Sequence, residues 1–248
     1  MTVISRKHNF IYLKSGKTAG TAIEAHLLTR TVLGTDIWST AGEIAKYGKP
    51  VTHNSLIIGS AGPRLVTAPE VPLLQKYWPW RMRIQEHHHA APLANLLGSF
   101  WNHALKVTSV RNPWDILVSA WQWRRDGRGG NSEPTVATFD EWVRASISSD
   151  DEWQRRIQAY DPRRKLMHPF LFIDGDLAVD VLIRQESINE DFEEVAARLN
   201  ISIPPLTISE KKSNRRRDYR FYYSDNLAEL VGDYFVDLID LCGYGFHP

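Results

Sequence analysis

The sequence predicts an α/β fold in which a central parallel sheet is flanked by helices. Short apolar runs typical of buried strands alternate along the chain with amphipathic segments typical of helices. The 248 residues are enough for one α/β domain with a sizeable core. Because the chain shows no internal repeat and no long linker, we expect a single domain over residues 1–248.

The first part of the chain begins with an expected strand at residues 9–13, in which residues 10–13 are an unbroken apolar run. Residues 14–20 form a loop of small residues, and residues 21–29 follow as a helix whose apolar side chains share one face. Residues 34–80 are rich in Gly, Pro and Thr, and we expect them to be irregular. A short helix is expected at residues 92–97, ending at a glycine.

The middle of the chain contains a second expected strand, ALKVTSV, at residues 104–110. Pro113 is suited to the first turn of a helix that continues through Trp123. Residues 124–135 are polar and glycine-rich, so we expect a mobile loop that acts as a lid over the acceptor. Another helix is expected at residues 139–147.

The last part of the chain contains a third expected strand at residues 179–185 and a helix at residues 189–199. Pro204 and Pro205 interrupt regular structure after this helix. A long final helix is expected at residues 224–241, because apolar residues recur there at helical spacing.

The composition limits the class of protein. A net charge of +1 argues against nucleic-acid binding by charge alone. The single cysteine, Cys242, allows no intrachain disulfide and fits a reducing compartment. The sequence contains no pattern of a signal peptide and no apolar run of the roughly 18 residues that a membrane span needs. We therefore expect a cytoplasmic protein without a membrane span.

The stretch LKSGKTAGTAIEAHL, residues 13–27, places two lysines in a loop between a strand and a helix. This arrangement presents backbone N–H groups and the positive end of a helix to an anion. Gly16, Lys17 and Thr18 match the end of a Walker A loop, but the glycine required five positions earlier is Ile11. The full motif is therefore absent, which weakens a kinase interpretation; a plain surface turn with solvated lysines is the other alternative.

The stretch SVRNPWDILVSAWQW, residues 109–123, places Arg111 at the end of a strand and Ser119 on the helix that follows. An arginine in this position can form paired hydrogen bonds to a phosphate, and a serine hydroxyl can add another. The alternative is that Arg111 covers the sheet edge and Ser119 is a small packing residue.

Together these residues resemble the sulfotransferases that use 3′-phosphoadenosine 5′-phosphosulfate. Residues 17–21 (KTAGT) resemble the family's 5′-phosphosulfate loop, and residues 111–119 (RNPWDILVS) resemble its 3′-phosphate motif. Residues 87–98, 183–201 and 222–246 are similar to three further family segments: the histidine-containing one, the strand–Glu–helix one and the closing helix. The resemblance is nearest to the carbohydrate sulfotransferases, and it implies a P-loop-like three-layer fold.

The resemblance implies a site for the sulfate donor and assigns Lys17 to stabilise the leaving phosphate. The backbone N–H groups of residues 18–21 and the hydroxyls of Thr18 and Thr21 would hold the 5′-phosphate, with Lys14 as a rival cation. Arg111 and Ser119 would hold the 3′-phosphate. The full set of expected donor-binding residues is Lys14, Gly16, Lys17, Thr18, Ala19, Gly20, Thr21, Ala22, Arg111, Ser119, Lys212 and Arg215.

The acceptor needs a base, and a neutral histidine suits that role near pH 7. His87 aligns best with the family's histidine, and His89 is the next candidate. Adjacent strand residues point to opposite faces, and the chain has neither a HExxH motif nor a pair of cysteines, so we expect no metal. The expected acceptor is the hydroxyl, less readily the amine, of a glycan or small molecule. The alternatives are a nucleotide kinase and a non-catalytic protein that binds a nucleotide or glycan.

Overall fold

The computed structural model describes residues 2–5, 7–31, 37–38, 54–59, 62–67, 88–126, 137–147, 167–207 and 217–247. The strands are β1 (Val3–Ser5), β2 (Phe10–Leu13), β3 (Ile37–Trp38), β4 (Asn54–Gly59), β5 (Gly62–Thr67), β6 (Leu105–Val110), β7 (Phe172–Ile173), β8 (Asp176–Leu177) and β9 (Val181–Arg184). The helices are α1 (Gly20–Arg30), α2 (Ala90–Leu97), α3 (Ser99–His103), α4 (Pro113–Arg125), α5 (Phe139–Ile147), α6 (His168–Leu171), α7 (Ile188–Leu199), α8 (Asp225–Tyr234) and α9 (Val236–Cys242). Within the described ranges, no helix combines the length and apolar character needed to cross a bilayer.

The chain forms two compact units. The first consists of Met1–Val110 and Pro169–Lys211, and the second of Arg111–His168 and Lys212–Pro248. The expectation of one domain over residues 1–248 stays a prediction.

A five-stranded sheet in the order β3-β1-β2-β6-β9 organises the first unit. β2, β6 and β9 run parallel, with Tyr12 opposite Val107 and Thr108 opposite Leu182, so the predicted parallel arrangement of these three strands is confirmed. β1 pairs antiparallel with β2, and β3 pairs antiparallel with β1. The fold is therefore mixed α/β, with a sheet that is mainly parallel at its centre.

The core of the first unit lies where α1 and α7 pack on one face of this sheet. Apolar residues of both helices and of the strands form one buried cluster, which includes Phe10, Ile23, Leu27, Val107 and Phe192. These side chains are at most 2% exposed. Burial of this apolar face holds α1, and with it the preceding loop, against the ends of β2 and β6.

The segment at residues 34–80, which we expected to be irregular, contains the antiparallel pair β4 and β5. Asn54 lies opposite Thr67, and Gly59 lies opposite Gly62. The expectation was therefore wrong for residues 54–59 and 62–67. Pro63 and the two glycines hide the pattern, because both residue types are depleted in strands.

The second unit is built around α4, α5, α8 and α9. The indole N–H of Trp114 on α4 donates to the carbonyl of Ala228 on α8 over 2.8 Å. We expected one helix over residues 224–241, but α8 and α9 are separated at Phe235, whose φ of −112° and ψ of 23° depart from helical values. The expected continuous helix was wrong because apolar spacing continues through the break, and Phe235 is itself buried.

Candidate functional site

The loop between β2 and α1 contains two residues in the left-handed backbone conformation. Lys17 has a φ of 64°, and Ala19 has a φ of 60°. This conformation costs a residue other than glycine about 1 kcal/mol, so the surrounding structure has to offset it. The Ala19 carbonyl accepts the N–H groups of Ala22 and Ile23 over 2.9 and 3.1 Å, which starts α1.

No side chain caps the start of α1, because its cap position is occupied by Ala19. The first N–H groups of a helix have no partner within the helix, and its positive end favours an anion. Lys17, Ala19 and Thr21 are partly exposed, whereas Thr18 and Gly20 are buried. Lys17 and two of the residues around the start of α1 are therefore partly accessible to solvent.

Four buried hydroxyl groups lie beneath the loop, and we call them the hydroxyl cluster: Tyr12, Ser15, Thr18 and Ser109. The Ser109 hydroxyl lies 2.8 Å from the Tyr12 hydroxyl and 2.6 Å from the Thr18 hydroxyl. The Ser15 hydroxyl lies 2.8 Å from that of Thr18, and it donates to the Ser109 carbonyl. Each of the four residues is at most 1% exposed. The Thr18 hydroxyl is thus bonded inside the protein.

Lys14, expected as a rival cation for the phosphate, is buried. Its ammonium lies 2.8 Å from Oε2 of Glu24 on α1, with exposures of 3% and 0%. Gly20 lies against the same lysine, because a Cβ at Gly20 would be 2.7 Å from Cγ of Lys14. The structure therefore places Lys14 beneath the loop, while Lys17 stays partly exposed. Gly16 is also partly exposed, and Ala22 is buried in α1.

The second expected motif begins directly after β6. Nε and Nη2 of Arg111 both donate to Oδ2 of Asp115, over 2.8 and 2.6 Å. The two side chains are 14% and 12% exposed. Ser119 lies two turns along α4 from Arg111 and is partly exposed. Asp115 therefore fixes the orientation of the Arg111 guanidinium within the second unit.

Asn112 joins the start of α4 to the C-terminal segment. Its Oδ1 accepts the N–H groups of Trp114 and Asp115 over 3.1 and 3.4 Å, which caps the helix. Its Nδ2 donates to the Gly245 carbonyl over 3.0 Å. The Tyr219 hydroxyl donates to the neighbouring Phe246 carbonyl over 2.7 Å. The C-terminal residues are thus attached to the residue that follows Arg111.

Aromatic rings pack around these hydrogen bonds to the C-terminal residues. Phe246 makes edge contacts with Trp114, Tyr219 and Tyr223 at centroid distances of 5.6, 5.8 and 5.5 Å. The Tyr223 hydroxyl donates to the Trp114 carbonyl over 2.8 Å. Burial, helped by the charge of Asp115, raises the pKa of Tyr223 well above its ordinary value, which keeps the ring neutral.

The histidine segment is described only in part, and His87 lies outside the described residues. His89 is partly buried at the start of α2, with its ring edge-on to Phe170 at 5.1 Å. Burial lowers the pKa of His88, and the neighbouring His89 lowers it further. Lys212, Arg215 and residues 127–135 of the expected lid also lie outside the described residues.

Sequence reasoning missed the residues that support the two motifs: Tyr12, Glu24, Ser109, Asn112 and Asp115. Tyr12 and Ser109 are inside predicted strands, where alternation predicts which face a side chain occupies but not its partner. Asn112 carried a usable signal, because Asn before Pro at the start of a helix is a common capping arrangement.

Comparison with known proteins does not assign the chain to a family. No family model matches it, and no curated protein matches its sequence. Among solved structures, the crystal structure of a sulfotransferase from Alicyclobacillus acidocaldarius aligns with 19% identity and a TM-score of 0.36. The alignment covers 70% of this chain and 64% of the sulfotransferase. A TM-score of this size does not establish a common fold.

Proposed function

We propose that this protein is a sulfotransferase that moves a sulfuryl group from 3′-phosphoadenosine 5′-phosphosulfate to a hydroxyl group of a glycan or small molecule. The observation that carries the proposal is the loop between β2 and α1. It combines two left-handed residues, an uncapped helix start and a partly exposed lysine within the KTAGT motif. This combination suits an anionic group that gains negative charge during a reaction.

At the loop, the N–H groups of residues 18–21 hold the 5′-phosphate, and Lys17 stabilises the phosphate oxygen that leaves. Lys14 is a weaker candidate for direct contact because its charge is paired with Glu24 in the interior. Its role in the proposal is to support the loop from beneath. The Thr18 hydroxyl has the same supporting role, since it is bonded to Ser109.

Arg111 and Ser119 hold the 3′-phosphate, which distinguishes this donor from ATP and ADP. Asp115 orients the Arg111 guanidinium through Nε and Nη2, and in the proposal this orientation sets how the guanidinium meets the 3′-phosphate. Lys212 and Arg215 are additional candidates for this phosphate.

The transfer is direct. The acceptor oxygen attacks sulfur, the bond from sulfur to the bridging phosphate oxygen breaks, and the acceptor proton passes to a histidine. The products are the sulfated acceptor and 3′-phosphoadenosine 5′-phosphate, with no covalent enzyme intermediate and no metal in the scheme. His87 and His89 are the candidate bases, and an amine is a less favoured acceptor than a hydroxyl.

Calorimetry with 3′-phosphoadenosine 5′-phosphate and with ADP tests the proposal. We expect the wild type to bind the first ligand at least tenfold more tightly, because the 3′-phosphate adds charge-assisted hydrogen bonds. Arg111→Ala should remove most of this preference. Arg198→Ala is the matched control, because Arg198 also pairs with a carboxylate four residues away, Glu194, but lies on the exposed face of α7.

Three results would contradict the proposal. Equal or tighter binding of ADP by the wild type would favour the kinase alternative. Once an acceptor is found by screening, Lys17→Ala should reduce turnover by about 10²-fold or more while the protein stays folded. Unchanged turnover in that variant would remove Lys17 from the mechanism, and binding without turnover of any acceptor would favour a non-catalytic protein.

A further inference from the structure

Ser109 occupies the centre of the hydroxyl cluster. Its side chain lies within hydrogen-bonding distance of Tyr12 on β2 and of Thr18 and Ser15 in the loop, at 2.8, 2.6 and 3.4 Å. Its carbonyl accepts the Ser15 hydroxyl. Ser109 belongs to β6, so these contacts tie the loop to the strand beside the one from which it emerges.

The protons of the cluster can be counted, because each hydroxyl has one proton to donate. Ser15 uses its proton on the Ser109 carbonyl, and the Thr18 hydroxyl lies 2.8 Å from the Ser15 hydroxyl and 3.4 Å from the Ser15 carbonyl, so Thr18 directs its proton towards Ser15. The Thr18 oxygen then accepts from Ser109, and the Ser109 oxygen accepts from Tyr12. Burial raises the pKa of Tyr12, which keeps the phenol protonated and able to donate. The hydroxyl protons thus run in one direction, from Tyr12 through Ser109 and Thr18 to Ser15.

Thr18 lies between the two left-handed residues of the loop. Lys17 on one side and Ala19 on the other have φ values of 64° and 60°. Residues other than glycine keep this conformation only where neighbouring contacts hold them in it. The 2.6 Å contact with Ser109 holds Thr18 in place, and with it the residues on both sides.

We infer that Ser109 is a positioning residue for the loop: through Thr18 it holds Lys17 and the adjacent N–H groups in the conformation that binds the donor phosphate. The inference rests on the proposed function. Ser109 acts through its partners, and the anion contacts are made by the loop itself. Loss of the Ser109 hydroxyl should therefore change ligand binding as well as stability.

Ser109→Ala is the first test variant, and Thr108→Val is its matched control. Thr108 is the adjacent residue of β6, is equally buried, and donates its hydroxyl to the Leu13 carbonyl over 2.7 Å, outside the cluster. Both variants delete one buried hydroxyl. We expect Ser109→Ala to weaken binding of 3′-phosphoadenosine 5′-phosphate about tenfold, and Thr108→Val to change it less than twofold. Thr18→Val breaks the same contact from the loop side and serves if Ser109→Ala does not fold.

A double-mutant cycle adds a readout that a purely structural role would not change. If Ser109 acts through Lys17 and the loop, the binding losses of Ser109→Ala and Lys17→Ala should be less than additive. Additive losses would overturn the inference, as would equal effects of Ser109→Ala and Thr108→Val on binding.

Amide hydrogen exchange separates failure of the inference from failure of the proposed function. Without ligand, Ser109→Ala should speed exchange in residues 16–22 about tenfold, whereas Thr108→Val should leave this segment unchanged. If the wild type does not bind 3′-phosphoadenosine 5′-phosphate, the proposed function fails and the inferred role in donor binding fails with it. If it does bind, unchanged exchange in Ser109→Ala overturns the inference alone.

Discussion

The ammonium of Lys14 lies 2.8 Å from Oε2 of Glu24, and neither side chain is more than 3% exposed. Lys14 is the first residue after β2 and Glu24 lies in the second turn of α1, so this ion pair joins the start of the loop to the helix that follows it. A buried pair is costly to break, because the remaining charge is left without its counter-charge. The same pair contributes little beyond an apolar replacement of similar volume.

We therefore expect Glu24→Gln to lower the free energy of unfolding by roughly 3–5 kcal/mol, measured by urea denaturation. The double variant Lys14→Met with Glu24→Leu should recover most of the loss. Glu194→Gln is the control, because Glu194 pairs with Arg198 at the surface; it should cost less than about 1 kcal/mol. A double variant as unstable as Glu24→Gln would contradict this prediction, because apolar side chains of similar volume would then be unable to replace the ion pair.

A second prediction concerns the glycine at the start of α1. A Cβ at Gly20 would be 2.7 Å from Cγ of the buried Lys14, so Gly20→Ala should destabilise the protein by about 1–3 kcal/mol. Gly232→Ala is the control, because its Cβ would meet Trp114 at 3.4 Å, an ordinary contact distance. Since alanine favours a helix over glycine by about 1 kcal/mol, Gly232→Ala should be neutral or stabilising. Thermal unfolding of both variants tests this difference in stability. Equal destabilisation of the two would contradict the steric argument.

A third prediction concerns His26, which is buried where α1 meets α7, with its ring 5.6 Å from Phe192. Burial lowers the pKa of His26 below 6.5, the charge of Arg30 lowers it further, and the Pro204 carbonyl opposes the shift. Below pH 6.5 the unfolded chain therefore takes up a proton that the folded protein resists. Stability should fall as the pH drops through this range, by at most about 1.4 kcal/mol per pH unit from this group.

Urea denaturation at pH 7.5 and pH 5.5 tests the His26 prediction. His26→Leu should lose less stability than the wild type between these two values. Phe192→Leu is the control, because it removes the neighbouring ring without removing a titrating group. This variant should lower the free energy of unfolding equally at both pH values. An unchanged pH dependence in His26→Leu would assign the acid sensitivity to other groups.

A fourth prediction separates the two roles of Asn112. Asn112→Ala loses both the cap of α4 and the bond to the Gly245 carbonyl, so it should cost about 1–2 kcal/mol. Asn112→Asp keeps a capping oxygen but loses the Nδ2 donor, so it should cost less. Both variants should increase amide exchange at residues 244–247.

Ser224→Ala is the control for the Asn112 variants. It removes the side-chain cap of α8, where Ser224 accepts the Leu227 N–H over 3.4 Å, without removing the bond between Asn112 and Gly245. It should destabilise the protein without speeding exchange at residues 244–247. Faster exchange in that variant would mean that the C-terminal segment responds to global stability and not to Asn112.

The elements around the loop could be predicted because each has a local signal. β2 is a continuous apolar run, three of the six residues of β6 are β-branched, and α4 begins with Pro113 at its first turn. β1 and β3 were missed because strands of three and two residues are too short to show alternation. The break at Phe235 was missed because apolar spacing does not record a change in backbone dihedral angles.

The sequence by itself determined the order of strand, loop and helix around Lys17, and the position of Arg111 directly after a strand. Those features depend on neighbours in the chain. The inward direction of the Thr18 hydroxyl depends on Ser109, 91 residues away in sequence, and the burial of Lys14 depends on Glu24 lying beneath it. Only the tertiary structure could decide these, because a hydrogen bond or a buried ion pair requires two groups that folding brings together.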